Sequence, residues 1–454
     1  MMHVIRHECV ALLRTRALWL YLAVFGGLLV VAARSGEAWR DGVYAGRAAA
    51  ADAQHRSLAA AAKLPEQPWA VPWMTLGRVP VTAELPMGSL APVAIDRVGQ
   101  YRSSVVLDIR PPDPSDGEAR MLSPFLLDIG AFDLAMVVVV LFPLGLVAMA
   151  HDLWVAERVR GTLALVEVCA PSTTRWILAT ILGRWLALVA PIVVVVAAVI
   201  AWWGPATTEA AVLLGAVAVY GLLWLIICAG IGSRAPSAAW SATAALAVWI
   251  GLVVLVPAAA GVAASTLVKV PSAVELEVEL ERDSLDAEEA GEALMESYLD
   301  EHPELPRPTR DEDPKGWAKP YLLVLQAEAA RRGAVLDTLE RRLATQREVA
   351  AVASAVSPAA TMQAVVATLA GHDEERLAEY RGAVVELRRR RRDALVERVL
   401  QARPFDANDP ALTTAAMDIA VPRGLHTTVP GLVLLLGQCV VAAAVSWWAL
   451  RAPA

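Results

Sequence analysis

The 454-residue sequence has few charged residues and few cysteines for its length. Charged side chains make up 19% of the chain, hydrophobic ones make up 57%, and only four residues are cysteines. A soluble domain could not bury so large an apolar fraction, so the composition is that of a protein that crosses a membrane several times. The net charge of -7 lacks the basic excess of a phosphate-binding surface, which argues against a nucleic-acid partner.

Recognisable catalytic and metal-binding motifs are also missing. The sequence contains no Gly-x-x-x-x-Gly-Lys-Ser/Thr phosphate loop, no His-Glu-x-x-His, no paired Cys-x-x-Cys and no Gly-x-Ser-x-Gly. His3, His7 and Cys9 lie close together near the N-terminus, but nothing nearby completes a metal site. We therefore expect no catalytic residues, no metal and no cofactor in this chain, and a membrane-embedded hydrolase is disfavoured.

What the sequence does contain is long apolar runs. Six of them have a charge-free core that can cross the ~30 Å hydrocarbon region of a bilayer at ~1.5 Å per residue. A charged residue at the centre of a spanning helix is costly, so six uncharged runs in one chain indicate six spans. The predicted transmembrane helices are residues 17–33, 126–150, 185–204, 210–232, 241–265 and 428–450. The predicted fold is an all-α polytopic membrane protein.

Basic residues in the short polar segments predict the orientation, because short cytoplasmic loops retain Lys and Arg. Four stretches carry basic residues: the N-terminal segment (Arg6, Arg14 and Arg16), segment 151–184 (Arg158, Arg160, Arg175 and Arg184), the connection of the fourth to the fifth span (Arg234) and the C-terminal tail (Arg451). Both termini and segment 151–184 are therefore predicted to be cytoplasmic, with the chain in a bacterial cytoplasmic (inner) membrane. Residues 1–16 are expected to form an interfacial helix. A cleaved signal peptide is the disfavoured alternative for residues 1–33, because its apolar part is too long.

Two long polar segments, 34–125 and 266–427, are then predicted to be extracytoplasmic. Neither contains a cysteine, so no disulfide framework is available to them. In the first, residues 47–63 are rich in alanine and are expected to be helical. Nine prolines between residues 65 and 114 prevent a long helix there and favour loops with a short strand near 103–109. The first segment is therefore expected to be a small cap domain.

The second segment, which we call the outer helical domain (residues 266–427), is predicted to be a long helical stalk. Ser272 and Glu275 form a capping-box pattern at its start. A helix from Pro320 towards residue 356 would extend about 55 Å. Ser357-Pro358 then restarts a shorter helix that stops at Gly371, and a further helix begins after it.

A run of five arginines is the most conspicuous charge feature of the outer helical domain. It consists of Arg388, Arg389, Arg390, Arg391 and Arg392. One interpretation is a surface that binds an anionic ligand, a lipid headgroup or a partner protein. The favoured interpretation is a solvated helix face that balances the acidic residues between 275 and 301.

Acidic residues and prolines mark the predicted spans themselves. Asp128 and Asp133 lie near the outer mouth of the second span, where they could have a functional role, but a role in starting the helix is favoured. Pro143, Pro191 and Pro257 interrupt three spans. Kinks at these positions are either hinges of a moving gate or irregularities of packing, and the sequence does not choose between them.

The residues after the second span carry a family resemblance. We call residues 151–163 the elbow; it includes Glu157, Arg158, Arg160, Gly161, Thr162 and Leu163. The elbow follows Phe132-Asp133-Leu134 and Phe142-Pro143-Leu144 and precedes Ala170-Pro171-Ser172. Together these stretches resemble the corresponding segment of permease subunits of type-2 (type V) ABC exporters. More narrowly, the chain is similar to a subgroup related to gliding-motility and nitrous-oxide-reductase maturation permeases. It departs from that subgroup in the proline-rich region 64–100.

The resemblance implies that the elbow docks on a separate ATPase that binds ATP and Mg. The chain would then be a permease subunit, paired with a second copy or a sibling permease in the lipid bilayer, and an extracytoplasmic protein is a further partner. The alternative is an ATP-driven mechanotransmission or assembly protein that acts on an extracytoplasmic partner without moving a solute. From the residues alone, Gly161 between charged side chains suits close approach of a partner, and an ordinary juxtamembrane helix anchored at the headgroups is the less favoured alternative.

Overall fold

The computed structural model describes eleven stretches of the chain. They are residues 1–61, 81–95, 104–107, 132–159, 161, 172–204, 207–289, 291–301, 303, 318–400 and 427–451. Of the described residues, 86% are helical, and six of the described helices are long and apolar enough to cross a membrane. The first to sixth spans are Arg16–Ala60, Leu134–Val159, Thr174–Trp203, Thr208–Arg234, Ala238–Leu267 and Val429–Ala449. The predicted all-α fold with six spans is confirmed.

The first span does not end where the sequence becomes polar. One helix of 46 residues runs from Arg16 to Ala61 and passes the predicted boundary at residue 33 without a break. The alanine-rich sequence between residues 34 and 61 contains no proline, so nothing in it interrupts the helical hydrogen bonds. The end of the apolar run therefore marks a change of polarity on a continuous helix, which carries the chain into the first outer segment.

Three spans contain a π-helical segment that is followed directly by a proline-bearing turn. The segments are Val137–Leu141, Trp185–Val189 and Ile250–Leu255, and the prolines are Pro143, Pro191 and Pro257. A proline inside a helix lacks an N–H and its ring crowds the carbonyl of the preceding turn. A wider π-helical turn before the proline relieves that crowding, so each predicted irregularity has a defined local geometry.

The spans pack around large apolar side chains. Trp224 and Tyr220 of the fourth span and Phe142 of the second are completely buried. Gly145 lets the first span approach closely, because a Cβ at this position would lie 2.4 Å from a ring carbon of Phe25. The fifth and sixth spans are more peripheral, since only 11% and 6% of the residues in their most apolar 18-residue stretches are buried. Their exposed faces are left for lipid or another protein.

The four basic stretches of the sequence lie at one end of this bundle. Arg184 of the third span, directly before the charge-free part of that span, contacts Glu8 of the N-terminal helix (Met2–Leu13). At the same end, the Arg234 guanidinium donates to the Ala449 carbonyl over 3.0 Å and lies over the Trp448 ring. This shared location agrees with the predicted topology, while the side of the membrane that this end faces stays a prediction.

At the opposite end, part of the first outer segment forms a small hairpin on the outer helical domain. β1 (Val81–Glu84) and β2 (Ser104–Leu107) are antiparallel, with Val81 opposite Leu107. The short strand predicted near 103–109 is therefore confirmed. Buried residues of both strands pack against Leu377, Tyr380 and Val384, and the Tyr380 hydroxyl donates to the Ala83 carbonyl.

The outer helical domain contains five described helices: Ala273–Glu289, Gly291–Glu301, Ala318–Ser354, Pro358–Ala370 and Glu374–Leu400. The predicted capping box is present, because the Ser272 N–H donates to Glu275 Oε2 and the Glu275 N–H donates to Ser272 Oγ. Gly371 adopts φ +74° at the end of the fourth helix, a left-handed conformation that favours glycine. The long stalk helix has 37 residues, as its lack of internal breaks predicted.

One helix of this domain lies against the spans instead of away from them. Pro358–Ala370 buries Met362, Val365 and Val366 in the same apolar core as the spans. It packs closest at the start of the sixth span, where a Cβ on Gly431 would lie 2.6 Å from Val365 Cγ2. This helix had been predicted to belong to the long outer stalk, with the rest of the domain.

Candidate functional site

The elbow begins as a turn and continues as a short helix. Residues 151–154 form the turn, Val155–Val159 is helical, and Gly161 has φ +72° in open space, where an added Cβ would meet no atom within 4 Å. This positive φ favours glycine over any residue with a side chain. Val159 and Gly161 are exposed, whereas Val155 is buried. Arg160, Thr162 and Leu163, which belong to the predicted docking motif, lie outside the described residues.

Arg158 does not point freely into solvent. Its guanidinium donates through Nη1 to the Ala235 carbonyl over 2.7 Å and through Nη2 to the Ser233 carbonyl. Both acceptors belong to the end of the fourth span and its connection to the fifth, where a helix leaves carbonyls without internal donors. A cation at this position is also favoured by the helix dipole. The structure therefore gives Arg158 a capping role at the fourth span.

The inner face of the elbow packs on the third, fourth and fifth spans. Trp154 is buried against Trp176, with ring centroids 5.1 Å apart. Gly232 of the fourth span lies beside the Trp154 ring, since an added Cβ there would be 3.4 Å from a ring carbon, an ordinary van der Waals contact. The Ser241 hydroxyl of the fifth span donates to the His151 carbonyl. The first half of the elbow therefore contacts three spans, while Val159 and Gly161 in its second half are exposed.

Arg184 joins the elbow to the N-terminal helix. Its Nη1 donates to Asp152 Oδ1 over 3.0 Å and to the Met149 carbonyl over 2.9 Å, and its Nε lies 3.7 Å from Glu8 Oε2. Burial raises the pKa of Glu8, and Arg184 partly opposes that effect. Glu157 adds a further negative charge near Glu8. The interaction network therefore connects the N-terminal helix, the third span and the elbow.

At the other end of the bundle, Asp133 has the role in starting a helix that the sequence favoured. It is the N-cap of the second span, where its Oδ1 accepts from the Met136 N–H over 2.7 Å. Its Oδ2 accepts from the Ile95 N–H over 2.9 Å, and the residue is only 1% exposed. A buried carboxylate that already accepts these bonds is structural. Asp128, the other acid predicted there, lies outside the described residues.

His372, which the sequence analysis did not single out, links the two outer segments. It is buried directly after Pro358–Ala370, and its Nδ1 lies 2.6 Å from the Ala94 carbonyl. A carbonyl can only accept, so Nδ1 carries the proton and donates. The Trp39 ring packs edge-on against the imidazole at 5.5 Å. Since Ile95 follows Ala94 and bonds Asp133, a short path connects the outer helical domain to the start of the second span.

Acidification is expected to destabilise this contact. Burial, with a smaller contribution from Arg376, lowers the pKa of His372 to about 4. In the unfolded chain, His372 is protonated below about pH 6.5, whereas in the folded protein it stays neutral down to about pH 4. Between these two pH values the proton binds the unfolded chain preferentially, so the stability present above pH 6.5 is lost as the pH falls. We expect the free energy of unfolding to fall by about 2 kcal/mol between pH 7 and pH 5.

Thermal unfolding of the purified protein, followed by circular dichroism at both pH values, measures this effect. His372→Asn is the matched variant, because its amide can still donate to the Ala94 carbonyl but does not titrate. The variant should show a smaller change in Tm between the two pH values. The same change in both proteins would contradict the role of His372.

The π-helical segments accept hydrogen bonds from side chains of other elements. The Tyr220 hydroxyl donates to the Val139 carbonyl over 2.8 Å, and the Tyr21 hydroxyl donates to the Leu188 carbonyl over 3.2 Å. Within a bilayer, irregular backbone is tolerated where neighbouring helices supply such partners. The proline-bearing turns are therefore bridged to neighbouring helices, and the structure does not single them out as free hinges.

The break at Pro257 is bridged by the outer helical domain. At the end of the π-helical segment, the Val256 N–H donates to the carbonyl five residues earlier, that of Gly251. The next donor would be the nitrogen of Pro257, which has no hydrogen, so the Leu252 carbonyl loses its partner. The Ser357 hydroxyl donates to this carbonyl. Ser357 also caps Pro358–Ala370 by accepting from the Ala360 N–H over 3.0 Å.

Gln438 of the sixth span makes the second polar contact to the same turn. Its Nε2 donates to the Ala355 carbonyl over 2.7 Å and to Thr361 Oγ1 over 2.9 Å. The sequence analysis missed Gln438, although a glutamine in an otherwise apolar run was a visible signal. Together with Ser357, it fastens the outer helical domain to the fifth and sixth spans.

The run of five arginines is divided between two faces of its helix. Arg388, Arg391 and Arg392 are 3–4% exposed, and Arg391 Nη1 donates to the Leu107 carbonyl of β2 over 2.7 Å. Only Arg389 and Arg390 are exposed, and both bond Glu386. The interpretation as a solvated face is therefore wrong for the three buried residues, which also do not form an open surface for an anion.

Comparison with known proteins gives one relation, to the outer helical domain. Residues 273–412 match the model of a family described as "Domain of unknown function (DUF3526)". This range contains the stalk helix, Ser357, His372 and the arginine run. No curated protein and no solved structure matches the chain. The similarity concerns the outer part of the molecule and carries no activity with it.

Proposed function

We propose that the chain is the permease subunit of an ABC transporter, an exporter of the type-2 (type V) kind, driven by a separate ATPase that binds ATP and Mg. The observation that carries this proposal is the construction of the elbow. Its exposed end, at Val159 and Gly161, continues a segment that Arg158 joins to the fourth and fifth spans. A force applied at Val159 would reach the fourth span and its connection to the fifth through the bonds of Arg158.

The proposed assembly needs a second membrane subunit. The fifth and sixth spans leave most of their apolar surface unburied. In the middle of the described spans, Trp224, Tyr220 and Phe142 fill the space between helices. A route for a solute would therefore lie between two permease subunits, either two copies of this chain or this chain and a sibling. Both termini and the elbow would then face the cytoplasm of a bacterium.

An ATP-driven mechanical device that moves no solute is the second candidate. The observation that favours it is the connection of the 37-residue stalk helix to the spans through Ser357 and Gln438. Movement of the fifth span would be passed directly to the outer helical domain and to any protein bound there. The two candidates differ in the interface between permease subunits: a transporter needs a continuous cavity there, and a mechanical device can have a closed apolar seam.

Docking of the ATPase is expected to depend on Glu157. Glu157→Arg reverses one charge beside the exposed end of the elbow, where a partner surface must fit. We expect at least a tenfold loss of the proposed partner ATPase in co-purification, or ~1.4 kcal/mol of binding free energy. Glu279→Arg makes the same charge change on an exposed position of the outer helical domain and should leave the yield unchanged. Equal yields from both variants would refute the docking role.

A further inference from the structure

The first helix of the outer helical domain, Ala273–Glu289, carries two apolar stripes, and we call it the acidic helix. Each residue of a helix is rotated by about 100° from the one before it. Leu276 and Leu280 therefore lie on one side of the acidic helix, and both are buried. The other stripe lies on roughly the opposite side, within a sector of about 40°. We call it the exposed stripe, and it consists of Val274, Val278 and Leu285, whose exposed fractions are 74%, 49% and 54%.

Contacts of the stalk helix show where the acidic helix lies. Gln346 Nε2 is 3.5 Å from the Val268 carbonyl, directly after the fifth span, and Arg332 Nη2 donates to Ser284 Oγ over 2.7 Å. Gln346 and Arg332 are 14 positions apart, which is about 21 Å along the stalk helix. The acidic helix therefore follows the stalk helix away from the fifth span. Leu285, next to Ser284, lies about 20 Å beyond that span, out of reach of lipid acyl chains.

Acidic side chains border the exposed stripe on both edges. By the same rotation, Glu277 and Glu281 lie on one edge, and Asp286 and Glu289 lie on the other. All four are exposed, and no ion pair among the described residues includes them. The acidic helix contains eight acidic residues, and its only basic residue is Arg282. The exposed stripe is therefore an apolar seam between two negatively charged edges.

Such a seam is the surface on which helices pair side by side, and the charges on its edges decide which helix fits. A second copy of the acidic helix would place acidic residues opposite acidic residues on both edges, in either orientation, which is unfavourable. We propose that the exposed stripe binds an amphipathic helix of a second protein, on the same side of the membrane, whose own apolar stripe is bordered by Lys or Arg. The contact would extend over about 17 Å, from Val274 to Leu285. This surface would serve either candidate function and depends on neither, because neither the ATPase nor a solute takes part in it.

Two synthetic peptides test the proposal with the full-length chain in nanodiscs of phosphatidylcholine. Both contain about three heptads with Leu at a and d; one has Lys at e and g, and the other has Glu there. Fluorescence anisotropy of the labelled peptides, corrected for binding to empty nanodiscs, gives each Kd. We expect the Lys-bordered peptide to bind at least tenfold more tightly than the Glu-bordered one.

Variants assign this binding to the exposed stripe. Combined Val278→Asn and Leu285→Asn should weaken binding of the Lys-bordered peptide at least tenfold, because the partner loses the apolar seam. Both side chains are exposed, so the change removes no buried contact. Val385→Asn is the matched control, since it changes an exposed valine on another helix of the same domain, and it should leave the Kd unchanged. Combined Glu277→Lys and Glu281→Lys should reduce the preference for the Lys-bordered peptide at least tenfold.

Three results would overturn the proposal. Equal binding of both peptides by the unmodified chain would show that the charged edges do not select a partner. An unchanged Kd in the Val278→Asn, Leu285→Asn variant would place the binding elsewhere on the chain. A smaller assembly of this variant than of the unmodified chain in light scattering, both in the same detergent, would show that a second copy covers the exposed stripe.

Discussion

Arg158→Ala is expected to separate ATPase binding from the movement of the spans. The variant loses the guanidinium that bonds the Ser233 and Ala235 carbonyls, so the elbow keeps its exposed docking end but no longer holds the fourth span. The proposed partner ATPase should therefore still co-purify, while the stimulation of its ATP hydrolysis by this reconstituted chain should fall about tenfold, ~1.4 kcal/mol in coupling free energy. ATP hydrolysis in proteoliposomes, compared with the ATPase alone, measures this.

Two further variants make the result for Arg158 specific. Arg158→Lys keeps the charge but cannot reach two carbonyls with a fixed fork, so it should recover part of the stimulation. Arg175→Ala removes an exposed arginine from the start of the third-span helix and should behave as the unmodified protein. Loss of ATPase binding in Arg158→Ala would assign this residue to docking, and unchanged stimulation would remove it from the coupling path.

The spans could be predicted because their signal is local and strong. A long uncharged run has few alternatives to a membrane helix, and the capping box at Ser272 and the glycine at 371 depend on residues only a few positions apart. The stretch of residues 349–371 carries the same signal, a run without charge. It was assigned to the stalk because Ser357-Pro358 and Gly371 predict the start and the end of a short helix. These signals are the same whether the helix lies in water or against the spans.

The site was less predictable because its contacts join distant parts of the chain. Arg158 bonds residues 75 and 77 positions further along, and nothing in the elbow motif indicates those acceptors. The arginine run is different, because helical periodicity already places Arg388, Arg391 and Arg392 on one face. That periodicity could have separated them from Arg389 and Arg390, although it could not show that β2 covers the face.

Ser357→Ala is expected to be the most destabilising of the small substitutions in the outer helical domain. It removes the donor to the Leu252 carbonyl, which Pro257 already leaves without a backbone partner, and it removes the N-cap of Pro358–Ala370. An unsatisfied buried carbonyl costs about 1–3 kcal/mol and a lost cap about 1 kcal/mol. The free energy of unfolding should fall by about 3 kcal/mol, measured by thermal unfolding, with faster amide exchange around residues 357–361.

We expect this loss of stability because of the bonds that the Ser357 hydroxyl makes, and not because a hydroxyl is removed. Ser354→Ala removes a hydroxyl that bonds only the Ala351 carbonyl of its own helix, so it should change the stability by less than about 0.5 kcal/mol. Ser357→Thr keeps both the donor and the cap and should stay close to the unmodified protein. If Ser357→Ala is no more harmful than Ser354→Ala, the fifth span does not rely on the outer helical domain to close its break at Pro257.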